Sequence, residues 1–224
     1  MLRDIAKVLS GECKIIVSSE NEYFYSDGIA IYDNDREYLY CIFDKTITEY
    51  TIPATLIDID FHIGFLSDSL PLFEKFYVDE DNLYFSAVDG VLYDYDKTRV
   101  IAASQKCFDK TIIIPDGVIH INDYAYATCR DVTDIIIPNT VIDIGYFVFY
   151  LPYPLTFENV YYQGTKAEWD AIKIGNNNTE LTEATIRYYS ETEPPLNDDG
   201  TDYVGNYWHY VEGVPTAWVY ADNE

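Results

Sequence analysis

Proton transfer in this chain would fall to three histidines, His62, His120 and His209, and they are scattered along the sequence. None stands beside a serine or cysteine in a nucleophile motif, and general acid–base or nucleophilic chemistry needs such groups in mutual reach. His120 sits between Ile119 and the core-type Ile121, a position that turns its ring to solvent. No glycine-rich phosphate loop occurs. Cys13, Cys41, Cys107 and Cys129 form no C-x-x-C pair and have no metal-ligand spacing with histidine. Each lies among apolar residues, where a free thiol behaves as a small buried hydrophobe. The pattern points away from an enzyme, and no cofactor is implied.

Oxygen ligands are more plentiful. "DNDRE" (33–37), "DEDN" (79–82) and "NDDGTD" (197–202) group carboxylates and amides of the kind that suit calcium, with Asp79, Asp81, Asp198 and Asp202 as candidates. None completes an EF-hand loop with its terminal glutamate. The competing reading is that these are acidic turns solvating hairpin tips, since Asp and Asn are ordinary turn residues. Across the chain 39 acidic residues face 14 basic ones, a formal net charge of −25. That excess repels nucleic acid phosphates and anionic lipid headgroups and removes both as partners. With 48% hydrophobic residues the chain is nevertheless a folded one. No stretch approaches the roughly 20 apolar residues of a membrane span.

The elements that would position these groups announce themselves as a repeat. "IIIPDGVIHI" (112–121) returns as "IIIPNTVIDI" (135–144), and "YTIPATLIDI" occupies 50–59. Ile112, Ile114, Val118, Ile121, Ala125 and Tyr126, advanced by 23, become Ile135, Ile137, Val141, Ile144, Val148 and Phe149. Each coil begins with a short in–out–in strand that ends at proline, which has no N–H for a further ladder rung. One coil cannot bury its own apolar face, but stacked coils bury each other's.

A longer repeat overlies the first. Residues 17–42 parallel 78–103, with Asn21 matching Asn82 at an offset of 61, and both contain a β-hairpin inserted between coils. "VYYQG" (160–164) and "TIRYY" (185–189) read as weaker coils. Between them Thr165 and Glu168 have capping-box spacing, Trp169 seals the core end, and Gly175 reads as the helix stop. Near the start, Leu2, Ile5, Ala6 and Leu9 share one helical face, which suggests a cap over about 1–12. The sequence therefore divides into a solenoid over 1–189 with a C-terminal capping segment at about 164–189, an acidic linker at 190–205 and an aromatic hairpin tail at 206–224 around Glu212-Gly213.

Several of these segments resemble the BspA-like leucine-rich repeat family: the "IP-x-x-V-x-x-I" strand-turn, the Ala-aromatic pair with Cys129 in "YAYATC", "DGVLYDYDKT", "VYYQGTKAEWDAIKIG" and "GNYWHYVEGVPTAW". The resemblance spans roughly residues 16–220. It implies a β-dominated repeat solenoid, a short right-handed coil of about 23-residue leucine-rich repeats with inserted β-hairpins and small helical caps. It also implies a bacterial, exported or surface protein used for binding and adhesion rather than catalysis. The partner expected from it is a protein of host, bacterial or matrix origin, with carbohydrate as the alternative and a structural spacer as a third reading.

Strand register then names the contact residues. With Ile112 and Ile114 inward, Ile113 points outward, and its equivalents are Ile16, Thr51, Tyr77, Ile136, Tyr161 and Arg187. Stacked, they form one column, the apolar stripe that often marks an interface. The other reading is that a hairpin covers the column, or that neighbouring side chains merely stabilise the ladder. Tyr207, Trp208, Tyr210 and Trp218 in the tail suit protein or sugar contacts, or else pack on one another and on the solenoid.

Overall fold

The computed structural model describes residues 15–60, 70, 72–103, 110–127, 129, 132–149 and 157–220. The expected cap at about 1–12, His62, Cys13 and Cys107 lie outside the described residues. The chain is a β-dominated solenoid. Its first described strands are β1 (Phe24–Ser26), β2 (Ala30–Asp33) and β3 (Tyr38–Ile42), an antiparallel unit. β4 (Glu49–Ile52) follows, then the two-residue β5 (Asp58–Ile59), which pairs parallel with β3, and β6 (Lys75–Val78), which pairs parallel with β4. A second antiparallel unit comprises β7 (Phe85–Val88), β8 (Val91–Asp94) and β9 (Arg99–Ala102).

From there each coil supplies a longer strand and a shorter one. These are β10 (Thr111–Ile113) with β11 (His120–Ile121), β12 (Asp134–Ile137) with β13 (Asp143–Ile144), and β14 (Asn159–Tyr162) with β15 (Lys173–Ile174). A one-turn helix α1 (Lys166–Trp169) lies between β14 and β15, and α2 (Thr179–Thr182) leads into β16 (Thr185–Tyr189). A hairpin of β17 (Tyr207–Val211) and β18 (Val214–Ala217) completes the chain's described elements. The longer strands form a sheet in the order β10-β12-β14-β16-β17-β18, and the shorter ones join the second hairpin in the order β15-β13-β11-β9-β8-β7.

The proline turn recurs with the same bonding. Leu56 N–H donates to Pro53 C=O, Val118 to Pro115 and Val141 to Pro138, at 3.1, 3.3 and 3.2 Å. The three donors are among the most buried residues of the chain. Coil length is less uniform than the 23-residue repeat. Ile113 faces Ile136, 23 residues on, but Thr51 faces Tyr77 at 26, Ile136 faces Tyr161 at 25 and Tyr161 faces Arg187 at 26. Strand register is held constant, and the loops absorb the difference.

Two apolar cores lie side by side, and the second hairpin is the wall between them. Leu92, Ile101 and Ala102 face the first core with Tyr50, Ile52, Leu56 and Phe76, whereas Val91, Tyr93 and Val100 face the second with Ile112, Ile121, Ile135 and Ile144. A register shift between Leu92 and Tyr93 accompanies this two-sided packing. Asn82 fastens the wall to the preceding coil. Its Nδ2 donates to Pro53 C=O (2.7 Å) and Leu56 C=O (3.0 Å), and its Oδ1 accepts from Tyr84 and Phe85 N–H, both at 2.8 Å. Asn178 works similarly at the far end, donating to Gly145 and Gly175 carbonyls and accepting from Val148 N–H.

Two sequence assignments are corrected. Thr165 and Glu168 do form a reciprocal capping box, but α1 ends at Trp169, and Gly175 follows the strand β15. A Cβ at Gly175 would collide with the Gly145 backbone, so close coil stacking, not a helix stop, requires glycine there. The tail, read as a hairpin set apart by a linker, instead extends the sheet: Tyr188 and Tyr189 of β16 pair parallel with Tyr207 and Trp208. Residues 190–205 fold back on themselves through a Leu196–Tyr203 bridge, and Trp218 Nε1 donates to Ser190 C=O at 3.0 Å. Trp208 needs a large apolar seat, and the sheet face supplies one that a free tail lacks.

Candidate functional site

The longer strands of both ladders, β4-β6 and the sheet that begins at β10, present two outward rows. The first is polar: Glu49 faces Lys75, and Thr111, Asp134, Asn159 and Thr185 continue the register in the second ladder. Glu49 and Lys75 form an ion pair at 3.3 Å, and the Lys75 ammonium also lies 5.1 Å from the Tyr77 ring centre. Hydrogen bonding to Tyr77 and then to Glu49 raises the Lys75 pKa above its ordinary value. Asn159 donates to Asp134 and accepts from Arg187 Nε, both at 2.8 Å.

The second row contains the sequence-derived column, and the structure alters it in three ways. Ile16 is 79% exposed but belongs to no strand, because residues 15–18 have no ladder partner among the described residues. The row is also split. Thr51 and Tyr77 are in register on β4 and β6, whereas Ile113, Ile136, Tyr161 and Arg187 form a separate ladder beginning at β10. Finally, half of the row is covered. Ile136 and Tyr161 are only 4% and 9% exposed, because Trp208 packs on them. The Trp208 ring lies 5.3 Å from Tyr161, 5.2 Å from Tyr189 and 4.9 Å from Tyr210, and its Nε1 donates to Tyr162 C=O at 2.9 Å. Burial, and after it the neighbouring Asp134 charge, pushes the Tyr161 hydroxyl pKa upward.

What stays open is the start of the second ladder and the end of the first. Ile113 is 58% exposed and Tyr77 42%. The tail aromatics are largely committed to the chain itself. Trp208 is buried, the Tyr210 hydroxyl accepts from Gln163 Nε2 at 3.1 Å, and Trp218 stacks on His209 at 3.9 Å. Tyr207, on the same strand, faces Tyr188. The sequence does not single out Trp208 as the covering side chain, since Ile136, Tyr161 and Tyr162 lie 46 and more residues away in the chain.

The remaining candidates are dispersed. His120 lies 3.7 Å from Asp143 on the other sheet and faces Arg99 across the strand, far in sequence from His209. Asp79 accepts from Asp81 N–H, and Asp202 accepts from Tyr203 N–H, so these carboxylates shape their own turns. Asp198 stands in the same loop as Asp202. Among the described residues no group of three or more His, Cys, Asp and Glu side chains is placed to hold a metal ion. Cys41 and Cys129 are buried, and burial pushes the Cys41 thiol up to about 11, which keeps it protonated. A cavity of about 10 Å³ in the second core, lined by Ile112, Tyr126, Cys129 and Phe149 among others, is at the lower bound for one water molecule. Among the described residues no helix is long and apolar enough to cross a membrane.

Comparison with known proteins agrees with the repeat. Residues 102–159 match the family described as "BspA type Leucine rich repeat region (6 copies)". No curated protein matches the chain. Among solved structures, the chain is similar to the pneumococcal vaccine antigen PcpA (20% identity, TM-score 0.39, covering 56% of this chain and 31% of that one). It is also similar to a leucine-rich repeat protein from Eubacterium ventriosum (18% identity, TM-score 0.41, 66% and 45%). A leucine-rich cell surface protein from Faecalibacterium prausnitzii matches with 16% identity, a TM-score of 0.39 and coverage of 58% and 52%. The chain thus spans from about a third to about half of the length of these proteins.

Proposed function

We propose, from the match of residues 102–159 to the BspA type leucine-rich repeat region, that this chain is a non-enzymatic binding module that holds a protein partner on the open part of its outer strand face. The observation that supports this reading is the exposure of Ile113 and Tyr77 at outward positions of regular strands, while Ile136 and Tyr161, in register with Ile113, are already covered by Trp208. A branched aliphatic and a tyrosine held on rigid strands lose little freedom on binding, and apolar side chains of this size, left in water, gain by being covered. The setting we propose is extracellular or on a bacterial cell surface, with adhesion to a host, bacterial or matrix protein as the role. That setting is carried by the family resemblance alone.

The test uses beads coated with the chain and counted on intact host and bacterial cells. Binding that disappears after protease treatment of the cells, and with the Ile113→Asp/Tyr77→Ser double variant at unchanged melting temperature, supports a protein partner on this face. Binding that survives protease but is lost after periodate oxidation supports carbohydrate instead. Binding that the double variant leaves intact would sink the assignment of this face.

A further inference from the structure

The break between the two ladders leaves one edge of β10 without a paired strand among the described residues. In a parallel sheet the N–H and C=O of one residue point to the same neighbour, and alternate residues point to opposite neighbours. Lys110 C=O accepts from Thr133 and Asp134, and Ile114 N–H donates to Ile136 C=O. Residues 110, 112 and 114 therefore address β12, and Thr111 and Ile113 turn their backbone groups away from it. β10 is the first strand of its sheet, and among the described residues no strand pairs with that side. β6, which would continue the stack, instead receives Gly90 of the second hairpin, whose C=O accepts from Phe76 N–H at 3.0 Å.

We propose that this edge of β10 binds by strand addition, taking an extended, lysine- or arginine-bearing segment of a separate protein whose apolar side chain settles beside Ile113. The proposal rests on the outer face being the binding face. Three observations carry it to this particular mode and occupant. An edge that offers backbone groups next to an exposed aliphatic is a template for another strand, and folded proteins ordinarily protect such edges. The opposite edge strand of the same sheet, β18, contains Pro215, which has no N–H, whereas Thr111–Ile113 has no proline. The chain has also used this mode on itself: β17 adds to β16 and lays an apolar ring across the outward row.

Charge selects the occupant. Glu49, Asp79, Asp89, Asp116 and Asp134 belong to the strands and turns that flank Tyr77 and Ile113, against Lys75, which Glu49 already holds, and Lys110. The whole chain carries −25. A three-residue edge yields few backbone hydrogen bonds, so electrostatic attraction supplies much of the encounter rate and the affinity falls with salt.

The probe is a fluorescent synthetic Val-Tyr-Val strand flanked by lysine pairs, titrated into the full chain. Saturable binding is expected. It should weaken about tenfold when alternate peptide amides are N-methylated, the effect of losing one or two backbone hydrogen bonds. Similar weakening is expected for Ile113→Pro, which deletes an N–H that the ladder does not use, and in high salt. A glutamate-flanked peptide should not bind. Strand addition is refuted if the lysine-flanked peptide does not bind, or if the N-methylated form binds as well as the unmodified one, a comparison that needs no protein variant. Equal binding of the glutamate-flanked peptide would refute the basic occupant. If N-methylation has no effect while Ile113→Asp/Tyr77→Ser abolishes cell binding, the face stands and the strand mode falls. If neither matters, both fall.

Discussion

At the scale of single residues, the two equivalent asparagines do different amounts of structural work. Asn21 and Asn82 accept the same pair of backbone N–H groups, Tyr23 and Phe24 in one case and Tyr84 and Phe85 in the other. Only Asn82 is buried, and its amide also donates to two carbonyls of the preceding proline turn. An apolar replacement would strand Leu56 C=O and the N–H groups of Tyr84 and Phe85 at a site largely closed to water, while Pro53 C=O keeps the Leu56 N–H, and each buried orphan costs about 1–3 kcal/mol. Partial relaxation reduces the sum. Asn82→Leu should therefore lower stability by roughly 3–4 kcal/mol, and Asn21→Leu by about 1 kcal/mol or less, since water replaces its bonds. Urea unfolding of the two variants measures the difference directly. Equal losses would mean that the clamp on Pro53 and Leu56 contributes nothing beyond the local turn.

At the scale of elements, the tail hairpin behaves as a cover whose largest side-chain fastening is Trp208. Trp208 is fully buried but belongs to a small outer cluster with Ile136 and Tyr161, separate from both large cores. Truncating a buried tryptophan costs about 3–5 kcal/mol, and here that loss falls on the docking of β17 and β18 rather than on the solenoid. Trp208→Ala should release the hairpin as a local opening: amide exchange in 207–217 accelerates to nearly unprotected rates while β12 and β14 keep their protection. Uniform acceleration across β12, β14 and β17 would show that the tail and solenoid unfold as one unit. The sequence offers this docking as one reading of the tail aromatics, but aromatic clusters announce burial and not which strands they bury against. The coil strands were legible, because Ile112 and Ile114 alternate with an exposed Ile113 and a proline closes each run. The second sheet was not, since its two-residue strands such as His120–Ile121 are too short to show a period. The wall was hidden for a different reason. Val91, Leu92 and Tyr93 are all buried, and a strand packed on both faces reads as an unbroken apolar run without direction.

At the scale of the whole molecule, the abundance of tyrosine couples stability to alkaline pH. Tyr32 and Tyr50 share a hydrogen bond through their hydroxyls inside the first core, and Tyr32 also donates to Asp27 at 3.0 Å. Burial pushes both phenols above their ordinary value near 10. It pushes Tyr161, Tyr162 and Tyr188 in the same direction. Because the folded pKa values are raised, these groups contribute their full stability below about pH 10, where both states hold their protons. Above it the unfolded chain releases protons first, and stability falls as pH rises toward the folded values, by up to about 1.4 kcal/mol per pH unit for each such group. The melting temperature should therefore vary little with phenol ionisation between pH 7 and about 9.5 and drop steeply above 10. Tyr50→Phe removes one titrating group. It should cost stability at pH 7 through the lost hydrogen bond to Tyr32, yet flatten the decline between about pH 10 and 11. Parallel declines in the two proteins would show that Tyr50 is not a source of the alkaline instability and leave the remaining buried tyrosines to account for it.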